Sequence, residues 1–504
     1  MTASKIFQER PLWCVLLLCL AVRFAEHAWL GISFDMMLYQ WQLLDVDWLR
    51  DHPWQSLYLM HMQPPLFNGL LALSLALPPA MEPVFLPAVY VMASLAMVGI
   101  VYYFLRRFGL SAMAGAAATL LLGLSPQVVF FESYFLYSHL EAVLLLAAMF
   151  FAARYLSDRR LPDLAGLAAT LVALALLRSL FHVAWVAIVL LVVCSLTARR
   201  DGWNPRAFAV AIVAIVIAAL PPLKNLREFG IFSTTSWQGL SIANVALPLF
   251  PGDSSKFPAA FRDFKAGLDR GDFSPATSQA AATPILWLGW TVAARDCPEN
   301  AVKQPELCSI HRSNGRANFN HLAMISYSKG LGRDALHFMW RHPEVYLSHA
   351  IGSAMLFVGV PSWIDAGPEA TPFRPYTDAW ETLLQYRQRP QIALSPTTTL
   401  WGHVMRRLGE VSWPVMAFVM FGSLVIMLKA IEEVRLYWQG TRHSADWVLP
   451  ALALMLFATV PNLVNGIETN RIRYTIEPVL YLAVIRGLMV IRHRIRDRLA
   501  IQKG

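Results

Sequence analysis

The sequence predicts an all-α polytopic membrane protein, a bundle of about 10–12 transmembrane helices with a small domain inserted on the outer side. Three observations predict it. First, 56% of the 504 residues are hydrophobic and only 15% are charged, with a mean hydropathy of +0.46. Soluble domains carry about a quarter charged residues. Second, the charges fall in short clusters between apolar runs of roughly 18–22 residues, the length that crosses ~30 Å of hydrocarbon. Third, Lys and Arg concentrate at the ends of those runs and give a net charge of +9. That placement fits membrane topology and contact with anionic lipid rather than binding of nucleic acid.

The chain opens on MTASKIFQERPLWCVLLLCLAVRFAEHAWLG. Lys5 and Arg10 precede its apolar core, but no small-x-small cleavage site follows. Leu18 before Cys19 argues against lipoprotein-type cleavage. The stretch reads as an uncleaved first helix with a cytoplasmic N-terminus. Further helices are expected at 84–105, 111–130, 139–154, 161–178, 180–197, 206–223, 345–361, 413–430, 446–463 and 474–491, with a shorter apolar segment at 66–79. Basic clusters set the sides. Arg106-Arg107, Arg154 with Arg159-Arg160, Arg199-Arg200, Lys429 with Arg435, and Arg492 to Arg498 are all expected in the cytoplasm.

Alternation then works through Leu223 if 66–79 is a half-helix, giving seven crossings and placing 33–65, 131–138 and Arg178 outside. One conflict follows. If 345–361 crosses inward, the next helix would carry Lys429 and Arg435 outward. Either 345–361 is re-entrant or a weak crossing lies within 391–412. No internal repeat is visible. The expected organisation is an N-terminal transmembrane module at 1–223 with its first outer loop at 33–65, an outer-side insert at 224–344, and C-terminal helices at 345–504 ending in a cytoplasmic tail.

Within the insert, Cys297 and Cys308 are the only cysteine pair in a polar loop, DCPENAVKQPELC. An oxidising outer compartment would join them in a disulfide, and no zinc-ligand spacing accompanies them. Cys14, Cys19 and Cys194 lie in apolar helices.

Asp35, in SFDMMLYQWQLLD, stands just beyond the first helix among Phe34, Met36, Met37 and Tyr39. Partial desolvation there would raise its pKa and make it a better base. Asp45, Asp47 and Asp51 lie on a Trp- and Leu-rich stretch that reads as an interfacial helix, where solvated carboxylates are ordinary. His61, Gln63, Pro64 and Pro65 mark a second feature, with the proline pair starting a helix. Cations form the third. Arg178 interrupts a long apolar stretch and reads either as a hairpin tip or as an anion contact. Lys224 and Arg227 follow the seventh helix, and Arg471 and Arg473 precede the last. These cations could be snorkelling anchors, or could together hold a phosphate at the membrane plane. Glu468 and Glu477 could neutralise Arg471 or Arg473.

Four stretches resemble the C-type fold (GT-C) glycosyltransferases, polytopic enzymes that use polyprenyl-phosphate-linked sugars. The resemblance is to bacterial relatives of protein mannosyltransferases and of lipid A aminoarabinose transferases. The stretches are Asp35 with Tyr39, His61 to Phe67, LKNLREFGIFSTTSWQG at 223–239, and ETNRIRYTIEPVLYL at 468–482. Residues 245–460 contribute little. The resemblance implies that Asp35 deprotonates an acceptor hydroxyl, which attacks the sugar's anomeric carbon with inversion while the lipid phosphate leaves. Lys224, Arg471 and Arg473 would stabilise that phosphate. Tyr39, His61, Gln63, Arg178, Asn225, Glu468 and Asn470 would line the substrate site. Two extra residues separate His61 from the proline pair, relative to the family's His-Pro-Pro pattern. A second acidic residue has no clear match among Asp45, Asp47, Glu132 and Glu141.

The partners implied are a lipid-linked sugar donor and a glycan, lipid or protein acceptor, with no nucleic acid, cofactor or obligatory metal. The membrane implied is a bacterial inner membrane, with the site facing outward. No phosphate-cradling glycine motif appears, as suits a lipid-linked donor. Rival readings are a transporter or flippase of lipid-linked sugars, which should show paired broken helices, a non-catalytic assembly protein, and a ligase that moves a whole polysaccharide.

Overall fold

Apolar helices carry the architecture, and the only strand pairing among the described residues is two isolated bridges. The computed structural model describes residues 5–6, 8–249, 253–282, 297, 301, 303–359, 378, 413–439, 446–464 and 469–501. The N-terminal part contains α1 (Arg10–Leu30), α2 (Val46–Asp51), α3 (Pro53–Leu59), α4 (Pro65–Leu75), α5 (Glu82–Arg107), α6 (Ala112–Gly123) and α7 (Pro126–Glu132). It continues with α8 (Tyr137–Asp158), α9 (Leu161–Leu177), α10 (Val183–Asp201) and α11 (Pro205–Phe229). The insert holds α12 (Gln238–Ala246), α13 (Asp253–Lys256), α14 (Pro258–Arg270), α15 (Pro275–Ala282), α16 (Pro305–Cys308) and α17 (Ala323–Arg341). The chain ends with α18 (Pro343–Gly359), α19 (Trp413–Trp438), α20 (Val448–Val464), α21 (Thr469–Tyr474) and α22 (Glu477–Ile501).

Five described helices, α1, α5, α8, α11 and α19, are long and apolar enough to cross a membrane, and the bent pair α6–α7 makes a sixth. Four shorter apolar helices, α4, α9, α10 and α20, stand with them. A 17-residue helix such as α9 spans ~25 Å, close to the lower limit for a crossing. The chain is thus a polytopic helical membrane protein. Its core is built at helical spacing: Leu164, Leu167, Leu171 and Leu174 of α9 are fully buried against α8.

The basic clusters converge on one end of the bundle. Arg107 pairs with Asp446 at 2.8 Å, Arg154 with Asp163 at 2.8 Å, and Arg159 with Asp201 at 2.6 Å. Arg199 lies 4.7 Å over the Trp438 ring at the end of α19. The Lys429–Arg435 cluster therefore shares the pole of the others, as the positive-inside expectation requires.

Of the segment 345–361, residues 345–359 lie in α18 and the last two fall outside the described residues. Near the start of α18 the Tyr346 hydroxyl donates to the Leu463 carbonyl (3.1 Å), and near its end the Phe357 carbonyl accepts from Arg473. Both partners sit at the opposite, loop-bearing pole, so α18 stays in that half of the bundle. The alternative crossing at 391–412 lies outside the described residues.

Three boundaries depart from expectation. The helix expected at 111–130 breaks after Gly123 and resumes at Pro126, bent by 56°, because Pro126 cannot continue the ladder. The short segment ends at Leu75, ahead of Pro78-Pro79. α11 runs through Pro221-Pro222 to Phe229, where Gly230 closes it at φ 67°. Lys224 and Asn225 therefore ride its last turns rather than a following loop.

In the insert, α12 and α17 cross at two glycines. A Cβ on Gly239 would stand 1.8 Å from the Ser328 carbonyl oxygen, and one on Gly332 would stand 2.7 Å from the Gly239 Cα. Gly239→Ala is therefore expected to lower the thermal midpoint in detergent clearly, by overpacking of about 1–3 kcal/mol. Gly69→Ala, where a Cβ meets nothing within 4 Å, should leave it nearly unchanged. Thermal unfolding of the two variants checks this.

Candidate functional site

Asp35 sits on a short extended segment pinned to the start of the fourth long helix. Its N–H donates to the Ser133 carbonyl (2.9 Å), and its own carbonyl accepts from the Phe135 N–H (2.8 Å). Oδ1 accepts from the Met37 N–H at 2.8 Å, and Met37 adopts φ 45°, a strained conformation for a side chain of its size. The residue is exposed, so the partial burial expected for it is not found. Phe34 and Met36 line a groove of about 600 Å³ with Leu38, Leu71 and Leu75. Alternation along extended backbone turns Asp35 away from that groove.

The bridge leads directly to Tyr137. Phe135 is two residues before it, so the Asp35 backbone lies within roughly 7 Å of the Tyr137 backbone beyond that hydrogen bond. Two guanidiniums meet at Tyr137. Arg178 lies 4.8 Å over its ring, and Arg471 lies 5.5 Å over it and donates to its hydroxyl at 3.1 Å. One helical turn on, Glu141 accepts from Arg178 (2.8 Å) and from the Thr475 hydroxyl (2.9 Å). Glu141 Oε1 is buried without a hydrogen-bond partner. Arg178, expected either as a hairpin tip or as an anion contact, is both the cap residue of α9 and a member of this cluster.

His61 and Lys224 form a second cluster. The His61 ring is wholly buried; Nδ1 lies 3.0 Å from the Ser236 hydroxyl, and Nε2 has no partner. Burial, aided by the Lys224 charge, pushes its pKa down to about 3. Lys224 Nζ donates to the Met60 carbonyl at 2.5 Å and lies 5.3 Å over the Phe229 ring. Asn225 is buried and donates to the Ser233 carbonyl (2.7 Å), leaving Oδ1 without a partner. Gln63 is half-buried ahead of the proline pair. Tyr39 is half-buried, and its carbonyl accepts from Arg312.

The remaining expected residues go elsewhere. Arg473 is almost fully buried; it pairs with Glu477 at 2.8 Å and donates to the Phe357 carbonyl. Its contacts are those of a helix-packing arginine. Glu468 lies outside the described residues, and for Asn470 only the helical backbone of α21 is described. Cys297 and Cys308 form a disulfide. Among the described residues no group of three His, Cys, Asp or Glu side chains could hold a metal ion.

Sequence reasoning missed Tyr137, Ser236, Thr475, Arg312 and Asn320. Asn320 Oδ1 accepts from the His61 and Met62 N–H groups at 2.8 and 3.2 Å. The only signal for the last two was the density of Arg and Asn in HRSNGRANFNH.

Together these features define a polytopic membrane protein with two arginines meeting at Tyr137 and an exposed carboxylate whose backbone is bridged to the segment just before that tyrosine. No family model and no curated protein matches the chain. Two crystal structures are similar to it. One is ArnT from Cupriavidus metallidurans bound to undecaprenyl phosphate, at 13% identity and a TM-score of 0.33, covering 94% of this chain and 77% of that one. The other is the same protein in the apo state, at 15% identity and a TM-score of 0.31, covering 92% and 77%.

Two measurements follow. His61 binds a proton less readily folded than unfolded, so stability rises with pH between about 3 and 6.5 and is lost as pH falls through that window. Acidification from pH 7 to 4 should destabilise the protein, and His61→Gln should flatten that part of the denaturation profile. Arg178→Met should cost roughly 3–5 kcal/mol by stranding Glu141, and pairing it with Glu141→Leu should recover much of the loss. Thermal unfolding of the single and double variants decides it.

Proposed function

We propose that the chain is a GT-C glycosyltransferase that moves a sugar, hexosyl or pentosyl, from a polyprenyl-phosphate carrier to a hydroxyl acceptor. The membrane is a bacterial inner membrane, and the reaction takes place on its outer, periplasmic face. The observation that carries the reading is the backbone bridge joining Asp35 to the 133–135 segment, which runs on into Tyr137 beneath Arg178 and Arg471. That bridge supports a base and two cations acting at one site.

In this reading Asp35 accepts the proton of the acceptor hydroxyl. The acceptor oxygen forms its bond to the anomeric carbon from the face opposite the leaving group, so the configuration inverts. The bond from that carbon to the phosphate oxygen breaks, and the lipid phosphate leaves with the electron pair. Arg178 and Arg471 stabilise the charge that develops on it. The reading also assigns Lys224, Gln63, Tyr39 and Asn225 to the substrate site. Arg473, spent on Glu477 and a carbonyl, supports the fold around the site. A lipid-anchored donor arrives within the bilayer plane, which lowers the entropy lost on orienting it. It also fits an outer face, where nucleotide sugars are generally absent.

One observation favours a transporter of lipid-linked sugars instead. The α6–α7 break places Arg23 against Glu132 (2.8 Å) and the Gly123 carbonyl (2.8 Å), and broken helices mark transport sites. A second break related to it is not seen among the described residues.

Asp35→Asn separates the readings. It should insert and fold normally, bind undecaprenyl phosphate as the parent does, and lose turnover by about 10²–10⁴-fold. Mass spectrometry of lipid-linked sugars and surface glycans, with and without the protein, would show donor accumulating and the acceptor losing one sugar mass. A wild-type transfer rate in the Asn variant would remove Asp35 as the base.

A further inference from the structure

The loop that carries Asp35 has little regular structure of its own between Met36 and Asp45, only two turns, yet a piece of the insert is plugged into it. Residues 311–317 form a tight hairpin: His311 bridges Ala317, the Arg312 N–H donates to the Arg316 carbonyl (2.8 Å), and Gly315 turns at φ 75°. From its tip the Arg312 side chain enters the first outer loop. Nη1 donates to the carbonyls of Leu38 (3.3 Å), Gln40 (3.1 Å) and Leu43 (3.1 Å), and Nη2 donates to that of Tyr39 (3.1 Å). Asn314 Nδ2 adds a bond to the Leu38 carbonyl at 3.1 Å. The Ser313 hydroxyl donates to Asp45 Oδ2 (2.7 Å), while Asp45 Oδ1 caps α2 through the N–H groups of Asp47 and Trp48.

Arg312 is 4% exposed; the Asp45 charge acts on it, but its hydrogen bonds all go to backbone carbonyls. That is an unusual use of a buried guanidinium, since buried arginines normally meet an acid directly. The rigid fork of donors suits it to several acceptors at once, as a lysine does not. Four carbonyls of a folded loop are engaged by one side chain. The segment from Asp35 to Leu43 is thus held at both ends: by Ser133 and Phe135 at its start, and by Arg312 at its finish.

We propose that Arg312 is a positioning residue for the Asp35 carboxylate. The insert's hairpin fixes residues 38–43, and through them it sets where the base meets the acceptor hydroxyl. This rests on the reading of Asp35 as the base. It assigns the insert a part in turnover without any contact between Arg312 and substrate.

The test uses the full chain in detergent or nanodiscs. Its substrate is a lipid extract from cells lacking the protein, in which the donor accumulates, and its binding probe is undecaprenyl phosphate. Arg312→Ala should lower the maximal rate about 10- to 100-fold, the size expected of a small misplacement. The extract concentration for half-maximal rate and the affinity for undecaprenyl phosphate should both stay within about 3-fold of the parent, a margin of well under 1.4 kcal/mol. Amide hydrogen exchange should quicken at 36–44 and not in the long helices. Arg312→Lys should recover little of the rate, because one ammonium cannot span four carbonyls. Asn314→Ala, which removes one bond to the loop and one from the Arg316 N–H inside the hairpin, should shift rate and exchange in the same direction by less; with the Lys variant it carries the test if Arg312→Ala does not fold.

A parental rate with exchange raised at 36–44, unchanged exchange there, or a rate loss matched by lost affinity for undecaprenyl phosphate would each overturn the proposal. Asp35→Asn, assayed in parallel, tells the two failures apart. Loss of activity in that variant with a full rate in the Arg312 variants sinks this inference alone. Full activity in Asp35→Asn sinks both.

Discussion

Charge burial in an apolar bundle is the constraint on which the rest depends. An ion moved from water into a medium of low dielectric costs several kcal/mol even after relaxation, so each one inside must find partners. Arg23 meets Glu132 and the carbonyl freed at the α6–α7 break. Arg178 meets Glu141, and Arg473 meets Glu477. Each pair ties a helix to the segment that shapes the loop pole. Glu132 directly precedes Ser133, whose carbonyl holds Asp35. Glu141 lies one turn below Tyr137, and Arg473 stands beside α18. The pairing that makes the bundle tolerable in lipid thus also fixes the surfaces on which the candidate site is built.

At the loop pole the same rule applies to backbone groups. The first outer loop is short of ladders and would leave carbonyls unsatisfied where it packs under the insert. Arg312, Asn314 and Asn320 supply the donors, and the Ser56 hydroxyl donates to the buried Glu306 at 2.8 Å. The insert therefore completes the first loop. The contact of α12 with α17 through Gly239 and Gly332 makes the insert compact enough to act as one body against that loop.

Much of this was legible in the sequence. Hydropathy and basic clusters located the long helices, because crossing length and the bias of Lys and Arg act locally on the chain. The disulfide was legible because Cys297 and Cys308 are the only cysteines in polar surroundings. The break at Gly123 was not, since an apolar run reads the same whether straight or bent. The seventh helix was expected to end at Leu223, because the charges from Lys224 onward mask its continuation, and here α11 runs to Phe229. The division of the cations was hidden for a different reason. Arg471 and Arg473 are two residues apart on one short helix, so they point to different sides; which of them meets Tyr137 and which meets Glu477 is decided by tertiary packing.

The four carboxylates that could have served as a second acid are no longer equivalent. Glu132 is committed to Arg23, Glu141 to Arg178, and Asp45 to a helix cap and the Ser313 hydroxyl. Each of these side chains would have to give up hydrogen bonds inside the fold to act on a substrate. Asp47 is exposed on the first turn of α2. Asp35 is exposed as well, and the bridge ties its backbone to the segment that leads into Tyr137 at the loop pole.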